Sequence, residues 1–227
     1  MKNRLEHKRV FTGYKKFQKE LSELIVSVDQ KHYLERKVKF LLEIRGYLKT
    51  NNLSGNYIEF GSYRSEMQYA AYKILSETTG IKNFIGLDTY VGEPAKRKAD
   101  TKLNLFDSDG DFGCQFDEVN DFVKKNMKDR GIIIKGDFRD KSVLNELNRY
   151  KNIVVSVIDC NLLSSIESAL KYTIENIIDG GLIYFDDFFY NINIMKELRI
   201  VMNKYKMDFI EHSFYPPFAK SYIVVRV

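Results

Sequence analysis

Five apolar runs in this chain hold an acid near their end or have one just beyond it. Glu59 lies within residues 57–60, Asp88 closes 84–88, Asp137 follows 132–135, Asp159 closes 153–159, and the pair Asp186-Asp187 closes 182–187. If the runs are parallel strands, all of these acids meet at one edge of a sheet. Clustered carboxylates repel one another, so such an edge calls for hydrogen-bond donors or a cation between them. Asp159, Asp186 and Asp187 would supply three oxygen donors from neighbouring strands. That set suits Mg²⁺ or another hard divalent ion. For Asp186-Asp187 an acid pair at the start of the next helix fits equally well. Asp88 is placed to accept hydrogen bonds from ribose hydroxyls, with a helix cap or loop anchor as its other reading.

The elements that must position these acids alternate. A short strand at 57–60 turns at Gly61 into a helix whose face is Met67, Ala70, Ala71, Ile74 and Leu75, closed by Gly80. Gly61, lacking a Cβ, lets the backbone come close to a bound cofactor. No G-x-G-x-x-G follows, which disfavours a dinucleotide site of the usual pattern. After the strand at 84–88 comes a long polar connection from Thr89 to about Phe116, a length typical of lids and binding loops. A helix through Val119, Phe122 and Val123, strands at 132–135 and 153–159, and a helix opened by a Ser164/Glu167 capping box come next. That helix has Ile166, Ala169, Leu170, Thr173 and Ile177 on its core face, and Gly180-Gly181 break it before the strand at 182–187. A helix over about 193–205 and strands at 209–213 and 222–227 complete the chain. The connection at 213–221 is too short for a crossover, so the last two strands pair antiparallel. The rest reads as a parallel sheet with right-handed crossovers.

Residues 10–50 read as two amphipathic helices with a turn near Asp29, covering one face or the open top of the sheet. We divide the chain into an N-terminal helical cap, 1–52, and one compact unit, 53–227. Hydrophobic residues at 44% and charged residues at 30% describe a globular chain. No apolar run reaches the roughly 18 residues of a membrane helix, and the N-terminus has no secretion-signal pattern. Cys114 and Cys160 have no metal-type spacing, which makes a reduced, cytoplasmic setting the default. The net charge of +5 and the Lys8 to Lys19 basic run read as solvated lysine rather than a nucleic-acid footprint.

Taken in order, these motifs resemble the macrocin and mycinamicin O-methyltransferase family, which is class I and S-adenosylmethionine-dependent. The residues that carry the resemblance are Ile58-Glu59-Phe60-Gly61-Ser62-Tyr63-Arg64, Gly86-Leu87-Asp88-Thr89-Tyr90-Val91-Gly92-Glu93-Pro94, Lys135-Gly136-Asp137-Phe138-Arg139-Asp140, Ile158-Asp159 with Leu162 and Ser165, and Gly180-Gly181 with Phe185-Asp186-Asp187. The resemblance implies an α/β, Rossmann-like class I methyltransferase fold: a mostly parallel seven-stranded sheet, an antiparallel C-terminal pair, and helices on both faces. It implies that Glu59, Gly61, Ser62, Tyr63, Arg64 and Ser65 border the methionine part of the cofactor. Asp88 and Thr89 would lie at the ribose, Asp137 and Phe138 at the adenine. Asp159, Asp186 and Asp187 would hold Mg²⁺, and Asp159 would remove the acceptor proton and also border the cofactor. The implied reaction is methylation of one hydroxyl of a vicinal diol, on a small molecule such as a sugar or nucleotide-linked sugar. A homo-oligomer assembled through the N-terminal helices is implied too.

The chain departs from that pattern at Ser65-Glu66, where glycines are usual, and at Asp159-Cys160-Asn161-Leu162-Leu163, which lacks the second acid and the tyrosine of Asp-x-Asp-Leu-Tyr. Glu66 brings a carboxylate toward the cofactor's own carboxylate unless it turns outward. No lysine follows Asp159 closely enough to act as a base, and His212 reads as structural. A competing reading is a cofactor-binding or partner subunit that has lost catalysis. Amino-group methylation is disfavoured, because Tyr215-Pro216-Pro217-Phe218 lies between the last two strands rather than after strand four.

Overall fold

The computed structural model describes residues 28–77, 80–100, 112–189, 192–205 and 207–226. The first amphipathic helix and residues 101–111 of the long connection lie outside them. The first described helix, α1, is Val28–Thr50. Asp29 is its second residue, so the turn expected near Asp29 borders the residues outside the described set. Next come β1 (Ser54–Phe60), α2 (Glu66–Leu75) and β2 (Gly80–Asp88). They are followed by α3 (Phe116–Met127), β3 (Gly131–Lys135), α4 (Lys141–Leu147) and β4 (Ile153–Ile158). The chain continues through α5 (Leu163–Asn176), β5 (Ile177–Phe185), α6 (Ile192–Asn203), β6 (Met207–Tyr215) and β7 (Ala219–Arg226).

One seven-stranded sheet runs in the order β3-β2-β1-β4-β5-β7-β6. The pairs among β1 to β5 are parallel, and β7 runs antiparallel to both β5 and β6. The alternation of elements predicts this mostly parallel sheet with its antiparallel last pair, and it is the class I methyltransferase arrangement that the resemblance implies. Each face carries its own core. On one side α1, α2 and α3 bury Phe40, Ile44, Met67, Ala71 and Val123 against Tyr57, Phe84 and Tyr184. On the other, α4, α5 and α6 bury Leu147, Ile166, Leu170 and Leu198 against Ile58, Ile85 and Ile183. The α1 side chains Phe40, Leu41, Ile44 and Leu48 are fully buried, so this helix shares the core of the sheet.

Several boundaries differ from expectation, each for a local reason. Gly80 does not close α2; it is the first residue of β2, and a Cβ there would lie 2.7 Å from the Leu53 carbonyl. Ile177 leaves the helix and begins β5. Gly180, at φ +76°, and Gly181 lie within that strand where its register against β4 shifts. Ser164 is not a cap. α5 begins at Leu163 with Leu162 in the cap position, and the Ser164 amide and hydroxyl both donate to Asp100, each at 2.8 Å. The short α4 has too few turns to show a helical period and is not expected from the sequence.

Candidate active site

The sheet register aligns the acids. Phe60 pairs with Leu87 and Ile158, and Ile158 pairs with Phe185. Asp88, Asp159 and Asp186 are therefore each the first residue beyond the same row. The Asp159 amide donates to the Phe60 carbonyl and the Asp186 amide to that of Ile158, so the backbone that carries these acids still belongs to the ladder. Gly61 sits between them at φ +86°. A Cβ on it would lie 1.9 Å from the Asp159 carbonyl oxygen. The glycine is thus required by its own neighbouring strand, a tighter constraint than the approach of a cofactor.

Beyond this row lies a cavity of about 390 Å³. Of the residues expected to border a cofactor, Glu59, Gly61, Ser62, Tyr63, Asp88, Thr89, Asp137, Phe138 and Asp159 line it. Arg64 and Ser65 do not. Arg64 stacks over the Tyr63 ring and faces a separate depression with Tyr90, Phe116 and Lys135. Ser65 is fully buried at φ +60° in the cap position of α2. Glu66 turns inward: it lines the cavity, and its buried Oε1 has no hydrogen-bond partner among the described residues.

Asp88 has the loop-anchoring contacts of one reading and the cavity position that the other requires. It anchors loops, accepting from the Tyr63 and Tyr90 amides at 2.8 Å each, and it lines the cavity. Burial raises its pKa while those amides pull it down. Glu59 is buried and accepts a 2.8 Å hydrogen bond from the Tyr57 hydroxyl. Burial pushes its carboxyl up to about 8, against the opposing pull of Lys37 and Tyr57, so in this state it holds its proton at neutral pH. At Asp137 the penalty of partial burial is outweighed by Arg139, whose Nε–H is shared between both carboxylate oxygens at 2.9 Å and whose Nη2 donates to Oδ2 at 2.6 Å, and its pKa is lowered. Arg139 also donates to the Ala95 carbonyl and to Ser164 Oγ, and lies 3.8 Å from Asp100. This buried guanidinium fastens the first part of the long connection to β3 and α5.

At the far end, one oxygen each of Asp159, Asp186 and Asp187 lies within 4.8 Å of the others. Asp186 is fully buried. Its Oδ1 accepts from the Tyr184 hydroxyl at 3.1 Å, while its Oδ2 has no hydrogen-bond partner among the described residues. Two cations from α1 flank the set. The Lys37 ammonium donates to Asp159 Oδ2, and Arg36 Nη2 lies 3.8 Å from Asp186 Oδ2. Burial and the neighbouring Asp186 raise the Asp159 pKa, and Lys37 pulls it down. Burial alone would lower the Lys37 pKa, but Asp159, Asp186 and Glu59 together hold it above its usual value. Lys37 thus keeps its charge and is not a base. It was missed in the sequence reading, though a signal exists: Lys37 falls in the apolar stripe of Leu34, Val38 and Leu41, where a solvated lysine is out of place. The missing second acid of the strand-four motif has a counterpart as well. Asn161 Nδ2 donates to Glu93 Oε1 at 2.6 Å, and both residues line the cavity. His212 lies in β6 with Nδ1 2.9 Å from Ser221 Oγ, apart from the site.

A profile of the Macrocin-O-methyltransferase (TylF) family matches residues 34–210. The chain belongs to this family of O-methyltransferases. No curated protein matches it in sequence. Among solved structures it is similar in fold to the O-methyltransferase NovP, with a TM-score of 0.69 and 17% identity over 84% of this chain and 80% of that one. The calicheamicin methyltransferase CalS11 gives 0.60 and 16%, over 92% and 91%. The MycE methyltransferase of the mycinamycin pathway, solved with Mg and S-adenosylhomocysteine, gives 0.50 and 13%, over 86% of this chain and 48% of that one. Among the described residues no helix is long and apolar enough to cross a membrane.

Proposed function

We propose that the chain transfers a methyl group from S-adenosylmethionine to one hydroxyl of a sugar or similar vicinal diol, with a divalent ion at Asp159, Asp186 and Asp187. The observation that carries this reading is the cavity at the carboxyl ends of β1, β2 and β4. Six carboxyl side chains (Glu59, Glu66, Asp88, Glu93, Asp137 and Asp159) and one ammonium line it. Such a lining favours a cationic ligand, and a volume of about 390 Å³ lies in the range of small-molecule sites. S-adenosylmethionine, when bound, supplies a sulfonium methyl whose bond to sulfur breaks as the bond to the acceptor oxygen forms.

The chain's own residues bind, orient and take a proton. Asp88, held rigid by two amides, presents its remaining lone pairs to the cavity, as ribose hydroxyls require. Phe138, packed edge-on against Phe60, offers an apolar wall for adenine. Asp159 is the base: burial beside Asp186 makes its carboxylate a better proton acceptor than one in water. The three aspartate oxygens fit a hard ion, and the buried Asp186 Oδ2, which has no hydrogen-bond partner among the described residues, is a suitable ligand atom for one. A divalent ion there would lower the pKa of a bound hydroxyl. Two neighbouring hydroxyls on the acceptor would suit such an ion. The likeness in fold to NovP, CalS11 and MycE, all methyltransferases, supports this choice of chemistry. Assembly as a homo-oligomer is part of the same proposal and is read by sedimentation.

Calorimetric titration with S-adenosylhomocysteine, with Mg²⁺ and then with a chelator, tests the reading. Micromolar binding is expected in both, with a separate Mg²⁺ signal lost in Asp186→Asn. No cofactor binding in either would overturn it and favour a scaffold or partner subunit. Cofactor binding without any Mg²⁺ signal would leave the transferase and remove the metal.

A further inference from the structure

One ammonium stands among four carboxyl groups at the heart of the cavity. Lys37 donates to Asp159 Oδ2, and its residue is only 7% exposed. Asp186, Glu59 and Glu66 also feel its charge. The Asp159 carboxylate is thereby engaged by the chain itself, although Asp159 belongs to the one set of three carboxylates that could hold a metal among the described residues. Beside it, Asp186 Oδ2 is buried, accepts no hydrogen bond among the described residues, and has Arg36 Nη2 at 3.8 Å.

We propose that Lys37 is an exchangeable internal counter-ion: its ammonium neutralises the acid cluster until a divalent cation takes Asp159, and must leave that oxygen for the cation to bind. The inference rests on the metal reading above. Three carboxylates crowded together, with Asp186 fully buried, repel one another, and a positive charge beside them relieves that repulsion. Lys37 supplies it in the metal-free protein. A divalent ion at the same oxygens makes the ammonium a like charge at close range, so the two compete. The displaced ammonium has somewhere to go. Glu66 lines the same cavity, and its buried Oε1 has no hydrogen-bond partner among the described residues. The flexible four-carbon stem of a lysine permits that swing where a rigid guanidinium would not. The consequence is a metal site whose affinity is set below what three aspartates alone would give.

Mn²⁺ is the probe, counted as free ion by electron paramagnetic resonance, in the full chain and in Lys37→Met. The variant is expected to bind Mn²⁺ at least about tenfold tighter, since one like charge a few ångströms away is removed. Equal or weaker binding in the variant would overturn the exchange while leaving the metal site standing. No Mn²⁺ binding in either protein would overturn both. Because Lys37→Met strips a buried cation from a cluster of acids, the variant could fail to fold. A second measurement therefore uses the unaltered protein. The ¹⁵Nζ resonance of Lys37, identified by its absence in Lys37→Arg, is expected to shift on addition of Mg²⁺. Saturation with Mg²⁺ that leaves that resonance in place would overturn the proposal.

Discussion

Glu59 is a carboxylic acid that folding obliges to keep its proton. The unfolded chain releases that proton near pH 4.5, whereas in the fold burial holds it to about 8. Stability contributed by the neutral form is therefore present at acid pH and lost as pH rises from about 4.5 to about 8. In metal-free and cofactor-free protein, Glu59→Gln should melt well above the unaltered chain at pH 8 and close to it at pH 5. A melting difference that does not change with pH would refute the assignment. Asp88 makes a second residue-scale prediction. Asp88→Ala should weaken S-adenosylhomocysteine binding at least about 100-fold, because the ribose contact goes and the Tyr63 and Tyr90 amides lose their acceptor. Unchanged affinity by calorimetry would remove Asp88 from the site.

At the scale of elements, the alternation of apolar runs and helical stripes made β1 to β5 and the antiparallel β6-β7 pair legible. The acids that close those runs pointed to the functional edge. What stayed hidden depended on contacts between segments distant in sequence. Ser164 has the residue pattern of a capping box, yet Asp100, fixed by Arg139, takes both of its donors. Gly180 and Gly181 read as a break, but the strand absorbs them through a register shift. Arg64 and Ser65 follow the motif in sequence while the tight turn carries their side chains away from the cavity. Gly61 supplies the element-scale prediction. Its Cβ would fall 1.9 Å from a backbone oxygen that two strands hold in place. Gly61→Ala should cost at least about 2 kcal/mol in urea unfolding, and a smaller loss would mean that the β1–β4 edge yields more easily than its ladder suggests.

For the whole molecule, the helical cap of residues 1–52 and the unit at 53–227 share packing through α1. The α1 side chains Phe40, Leu41, Ile44 and Leu48 are fully buried in one cluster with Tyr57 and Tyr184. The Tyr215 hydroxyl reaches back to donate to Glu43 at 2.7 Å, and Arg36 and Lys37 on the same helix face the acids. A chain begun at Leu53 should lose cooperative thermal unfolding by circular dichroism. A sharp melt near that of the full chain would mean that residues 53–227 hold a complete core of their own. The role of α1 was the least legible feature. Its lysine is one among many in a lysine-rich chain, and only the fold shows which charge it meets.

That meeting also orders events in time. Lys37 and Asp159 stand 122 residues apart in sequence. At a synthesis rate of about 5–20 residues per second, their contact must wait roughly 6–25 s after Lys37 is made. Through that interval the lysine and the aspartate-bearing strands have different neighbours, and water keeps the ammonium. The proposed site thus cannot close until β1 to β4 have all been made, and Asp186 and Asp187 arrive later still. A nascent chain halted before Asp159 has no site to misload, and a chain that passes it acquires its charge balance in one late step.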